Sequence, residues 1–100
     1  FLKVLEKCYI FLIKFVKNNP ENQFLLVDYI DQFTEDLEYG VHSWELIAEV
    51  FKNSELLLTY NFNPLIKKVI KLIDSLPKET QKKTTMLSFL SYFINLNGNP

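Results

Sequence analysis

Phe11–Gln23, FLIKFVKNNPENQ, is the stretch on which the fold turns. Apolar residues run as far as Val16, Asn18-Asn19-Pro20 interrupts them, and Glu21-Asn22-Gln23 leads into another apolar periodic segment. Proline suits the first turn of a helix and disfavours helix in the residue before it, so the stretch reads as helix, break, helix, with Asn19 as the cap. A looser copy stands at Leu46–Glu55, LIAEVFKNSE, where Ile47, Val50, Phe51, Lys52, Asn53 and Glu55 answer to Leu12, Phe15, Val16, Lys17, Asn18 and Glu21. A third closes the chain: Phe89-Leu90, Phe93-Ile94, Asn97 and Pro100 echo Phe11-Leu12, Phe15-Val16, Asn19 and Pro20.

The copies are offset by 35 residues (Leu12 to Ile47) and 43 (Ile47 to Leu90). Self-similarity at about that period, with helices between, is the signature of stacked helical repeats. The expectation is all-α, an armadillo- or HEAT-like α-solenoid segment of about six helices. Residues 1–100 are read as one helical-repeat domain excised from a longer protein, because Phe1 is not an initiator methionine and Asn97-Gly98-Asn99-Pro100 looks like a turn leading onward.

The first helix is expected over Phe1–Lys17. Lys3, Lys7, Lys14 and Lys17 form one narrow polar stripe, so the helix reads as packed on several sides, with Phe11 and Phe15 in the core. The second should run from Pro20 to about Leu37, with Leu26, Ile30, Phe33 and Leu37 inward, Asp28, Asp31, Glu35 and Asp36 outward, and Gly40 as the stop. Ser43 is the expected cap of a third helix through Lys52, with Ile47, Val50 and Phe51 inward; Ser54 caps a short fourth, Glu55–Tyr60. Asn63-Pro64 opens a fifth, Leu65–Leu76, with Leu65, Ile66, Val69, Ile70, Ile73 and Leu76 inward and Pro77 ending it. A sixth, about Thr80–Leu96, should bury Met86, Leu87, Phe89, Leu90, Phe93 and Ile94.

A 48% hydrophobic, 15% aromatic composition excludes a disordered tail. The most apolar run, Phe1–Val16, is too short to span a bilayer and is interrupted by Lys3, Glu6, Lys7 and Lys14, so no membrane insertion is expected. Charge is uneven: residues 1–20 carry +3, residues 21–55 carry −8 and residues 56–100 carry +4. All eleven basic residues are lysine. Nucleic-acid readers depend on the arginine fork, and no aromatics are interleaved with Lys67, Lys68, Lys71, Lys78, Lys82 and Lys83, so no nucleic-acid partner is expected.

Catalytic and metal chemistry find no constellation to carry them. Cys8 and His42 are the only residues of their kinds, whereas a structural zinc needs about four ligands and a thiol nucleophile needs a base with an orienting group. Cys8 reads as a core cysteine, His42 as a surface histidine beside a cap, and Trp44 as an anchor for the third helix. Asp28, Asp31, Glu35, Asp36 and Glu38 lie along a helix, not in a loop wrapped round a cation, so they read as a solvated face or a dock for a basic protein partner. The expectation is a non-enzyme with no cofactor and no metal, whose important residues are the packing ones, Phe11, Phe15, Phe89 and Phe93.

One family resemblance emerges from this pattern. Cys8–Gln23, CYIFLIKFVKNNPENQ, then Val27–Leu37, Tyr39-Gly40 and Ser43–Leu57 with the run Ile47, Phe51, Asn53, Glu55-Leu56, resemble the RIH domain shared by inositol trisphosphate receptors and ryanodine receptors. Leu65–Leu76 followed by Met86–Asn97 resembles the next helix pair of that family. The resemblance implies a cytoplasmic armadillo-like solenoid of a calcium-release channel at the endoplasmic reticulum membrane, passing conformational change and contacting neighbouring domains or subunits. The alternative is a generic helical-repeat adaptor with no channel attached. Where the trisphosphate receptors place a Tyr-Arg-Lys trio against the ligand's phosphates, this chain has Asn19, Pro20 and Glu21. A glutamate there repels phosphate, so the resemblance does not carry trisphosphate binding to this site.

Overall fold

A computed structural model describes residues 1–77 and 81–98, apart from the side chains of residues 82, 93 and 95–98. The described residues contain helices and no strand: α1 (Leu2–Val16), α2 (Pro20–Leu26), α3 (Ile30–Glu35), α4 (Ser43–Phe51), α5 (Leu56–Thr59), α6 (Asn63–Ser75) and α7 (Gln81–Gly98). Tighter 3-10 turns over Val27–Tyr29 and Asp36–Tyr39 join α2 to α3 and finish α3, so the expected second helix is a run of four short pieces. The chain divides into two compact units, Phe1–Thr59 and Tyr60–Pro100.

In the first unit, α4 is the centre, packed by α1, α2 and α3. Leu46, Ile47, Val50 and Phe51 are all 0% exposed, and Ile30, Phe33, Leu37 and Val41 are buried with them. Tyr9 brings α1 into this core. Its ring meets Phe33 edge-on at 5.7 Å, and its hydroxyl donates to Asp36 at 2.5 Å. Burial, then that hydrogen bond, pushes the phenol's pKa well upward, so Tyr9 stays neutral and Asp36 accepts. In the second unit α6 packs on α7, burying Leu65, Val69, Ile73, Met86 and Phe89.

The first two sequence copies are copies of geometry. After α1, Lys17 (φ −59°, ψ 121°) and left-handed Asn18 (φ 53°) turn the chain, and the Asn19 amide donates to the Val16 carbonyl at 3.0 Å. After α4, Lys52 (φ −66°, ψ 122°) and Asn53 (φ 53°) do the same, and the Ser54 amide donates to Phe51 at 3.3 Å. These are type II-like turns, in which asparagine tolerates the left-handed position better than other side chains. Each turn ends in a cap: Asn19 Oδ1 accepts from the Asn22 amide at 3.0 Å and Ser54 Oγ from the Leu56 amide at 3.1 Å. The third copy differs, because Asn97 lies inside α7, which continues to Gly98. Asn99, Pro100 and the side chain of Phe93 lie outside the described residues.

Several expectations need correction. Phe11 is 64% exposed and Cys8 is exposed, so neither is a core residue, and Phe15 is only half-buried. The reason is visible on the helical wheel. Tyr9 and Val16 define the buried face, and Cys8 and Phe11 lie off it, between that face and the lysine stripe. α1 is packed on one side only. Ile70, Leu87 and Ile94 are also exposed, while Phe89 is buried as expected. The cap of α4 is His42, one residue before Ser43. His42 is left-handed (φ 71°), close behind left-handed Gly40 (φ 65°), so the helix starts inside a tight double reversal.

Candidate functional site: the outer face of the first helix

Asn22 and Gln23 hold the two repeated helix ends. Asn22 Nδ2 donates to the Phe15 carbonyl at 2.7 Å, in the last turn of α1. Gln23, only 3% exposed, donates through Nε2 to the carbonyls of Glu49 at 2.8 Å and Lys52 at 3.0 Å, at the end of α4. The last carbonyls of a helix have no partner within it, and here one dipeptide supplies partners to two helices at once. The start of α2 is thereby locked, and α1 is fixed on α4 with its opposite side facing outward.

That outward side carries Phe1 (90% exposed), Val4 (66%) and Phe11 (64%). Val4, Lys7, Cys8, Phe11 and Leu12 line a shallow groove of about 490 Å³. Phe11 stacks against Phe15 at 6.2 Å along the same stripe. Lys3, Lys7 and Lys14 follow one edge at helical spacing, exposed and with no ion pair among the described residues. This face escaped the sequence reading. No signal in α1 alone marks it, because the hydrogen bond that turns Tyr9 inward goes to Asp36, 27 residues on.

A cluster of charge joins α1 to the start of α4. His42 Nε2 lies 3.2 Å from Glu6 of α1, and Nδ1 lies 2.6 Å from Glu45 in the first turn of α4. The hydrogen bond to Glu45, with help from both carboxylates' charge, raises the imidazole pKa above 6.5 against a smaller opposing effect of burial. The histidine is therefore a clasp between two helices.

The acidic face does not gather round a point. Asp28, Asp31, Glu35 and Glu38 are exposed along the second helical run, and Asp36 turns toward Tyr9. Among the described residues no group of three or more His, Cys, Asp or Glu side chains is placed to hold a metal. A cleft at the start of α2 is lined by Asn19, Glu21, Asn22, Phe24 and Leu25 and presents a carboxylate. Lys67, Lys68 and Lys71 line an open groove on α6 with Pro64, Ile70 and Asp74; Lys78 and the side chain of Lys82 lie outside the described residues. Trp44 is half-buried at the start of α4. Among the described residues no helix is long and apolar enough to cross a membrane. No family model, curated protein or solved structure matches the chain.

Proposed function

We propose that the chain is a non-catalytic packing module, a solenoid-like segment that works by being stacked against other helices. The observation that carries this reading is the outer face of α1, a 15-residue helix in which only Tyr9 and Val16 are buried while Leu2, Val4, Ile10 and Phe11 are exposed. An apolar stripe of that kind, bordered by charge, marks an interaction surface. The paired helix ends held by Asn22-Gln23 support the repeat-like element of the proposal. A second docking surface is the acidic run of α2 and α3, suited to a basic protein partner.

In the setting implied by the RIH resemblance, the module belongs to the cytoplasmic part of a calcium-release channel at the endoplasmic reticulum membrane. There it passes small rotations between domains or subunits, because close-packed interiors transmit strain instead of absorbing it. The competing setting is a helical-repeat adaptor without a channel. A pore-forming segment in the full-length gene product supports the first setting, and its absence the second.

Cys8 makes the packing role measurable, since its thiol is exposed within the outer groove. Maleimide should label Cys8 rapidly in the purified chain and at least about tenfold more slowly in native cell extract, where α1 is covered. Equal rates in the two would refute the role.

A further inference from the structure

We infer that the outer face of α1 takes an amphipathic helix whose apolar stripe is bordered along one edge by carboxylates. The inference rests on the packing role proposed above and names the chemistry of the partner. Val4, Cys8, Phe11 and Leu12 recur at helical spacing, so the groove they line follows the axis of α1, and its natural filler is another apolar helix lying alongside.

Charge then selects the kind of helix. Lys3, Lys7 and Lys14 stand in single file on one edge of the stripe with no ion pair among the described residues. The single acid of α1, Glu6, is drawn to His42 and so does not neutralise them. A partner carrying glutamates or aspartates along its facing edge meets three ammonium groups, which steers its approach and fixes its direction and register. A partner edged with lysine meets like charge. An anionic membrane surface fits less well. A helix that lies on a membrane backs its apolar face with a broad charged face in water, whereas the far edge of this stripe, at Leu12, runs into the buried side of α1. The chain's own second helical run, with Phe24, Leu25 and Tyr29 exposed among Asp28, Asp31 and Glu35, shows the kind of partner meant.

The test uses two synthetic helices of about five turns sharing one leucine stripe, edged with glutamate in one and with lysine in the other. Calorimetric titration into the purified chain at low salt should show the glutamate helix binding at least about tenfold more tightly. Amide NMR shifts should centre on Val4, Lys7 and Phe11. The double variant Lys7→Glu, Lys14→Glu, checked for unchanged circular dichroism, should reverse the preference. Phe11→Asp should weaken both peptides. Equal affinity for the two helices, binding of neither, or tighter association with phosphatidylserine vesicles than with the glutamate helix would overturn the inference. The packing role stands or falls separately, on whether Cys8 is protected in extract.

Discussion

α4 buries Leu46, Ile47, Val50 and Phe51 completely, while α1, at least as apolar in sequence, buries only Tyr9 and Val16 of its fifteen residues. Yet the two helices end in the same turn, with asparagine left-handed at the same φ of 53°, and both ends are held by neighbouring side chains of α2. The similarity belongs to the local sequence, since a Lys-Asn turn and a following cap need only their own residues. The difference belongs to what surrounds each helix. α4 has neighbours on every side that its apolar residues reach, and α1 has them on one.

Substitution of one phenylalanine in each helix is the strongest way to break the comparison. Phe51→Ala should cost about 3–5 kcal/mol by urea denaturation, enough to unfold much of a small domain. Phe11→Ala, on the outer face, should change stability by less than about 0.5 kcal/mol. Comparable losses at both positions would mean that α1 is a core helix after all.

Next in size are the side chains of α2 that reach the two helix ends. Gln23→Leu leaves the Glu49 and Lys52 carbonyls without the side-chain donor and should cost about 1–3 kcal/mol. Hydrogen exchange should rise at the end of α4. Asn22→Leu should act instead on the last turn of α1. If exchange rises equally at both ends in either variant, the two side chains do not serve separate helices.

The turns themselves sharpen the likeness. Asn18→Ala and Asn53→Ala should each cost about 1 kcal/mol, the penalty for a Cβ-bearing residue in left-handed backbone, with glycine at either site close to neutral in thermal melts. A loss at one site alone would reduce the repeat to coincidence.

The smallest effect is one of pH. The folded pKa of His42 is raised above 6.5, so its contribution to stability is fully present below that value and is lost as pH rises through the folded pKa. His42→Asn removes the titration and keeps a residue that accepts positive φ. The wild type's advantage in Tm should be largest between about pH 5 and 6.5 and should shrink toward pH 8.5. A difference constant across that range would show that the charge on His42 does not link Glu6 to Glu45.

The breaks between helices were legible at Asn19-Pro20, Gly40, Ser54 and Asn63-Pro64, which act through adjacent backbone, but the division of the second run into short pieces was not. The inward face of the second run was legible too, since Ile30, Phe33 and Leu37 recur at helical spacing opposite carboxylates. What could not be seen was the orientation of α1. Apolar residues cover most of its circumference, so periodicity alone cannot say which of them meet α4, and the hydrogen bond that decides it joins residues 27 apart in the chain. The sequence alone did not disclose the role of Asn22-Gln23. Its physical meaning, two helix ends reached from one dipeptide, depends on α4 folding back beside α1. His42, not Ser43, stands before the first turn of α4 and makes no side-chain cap hydrogen bond; its contact with Glu6 lies on another helix, which no local rule contains.

Since adjacent residues reach both ends, the separation of α1 and α4 at that point is held by two side chains of one turn of α2. The fold thus contains its own spacer. An extra residue between Leu37 and Ser43 would pull buried Val41 and the His42 clasp out of place but would not touch that tie. One extra residue between Asn22 and Gln23 would swing an amide about 100° round the helix and let one of the two ends drift.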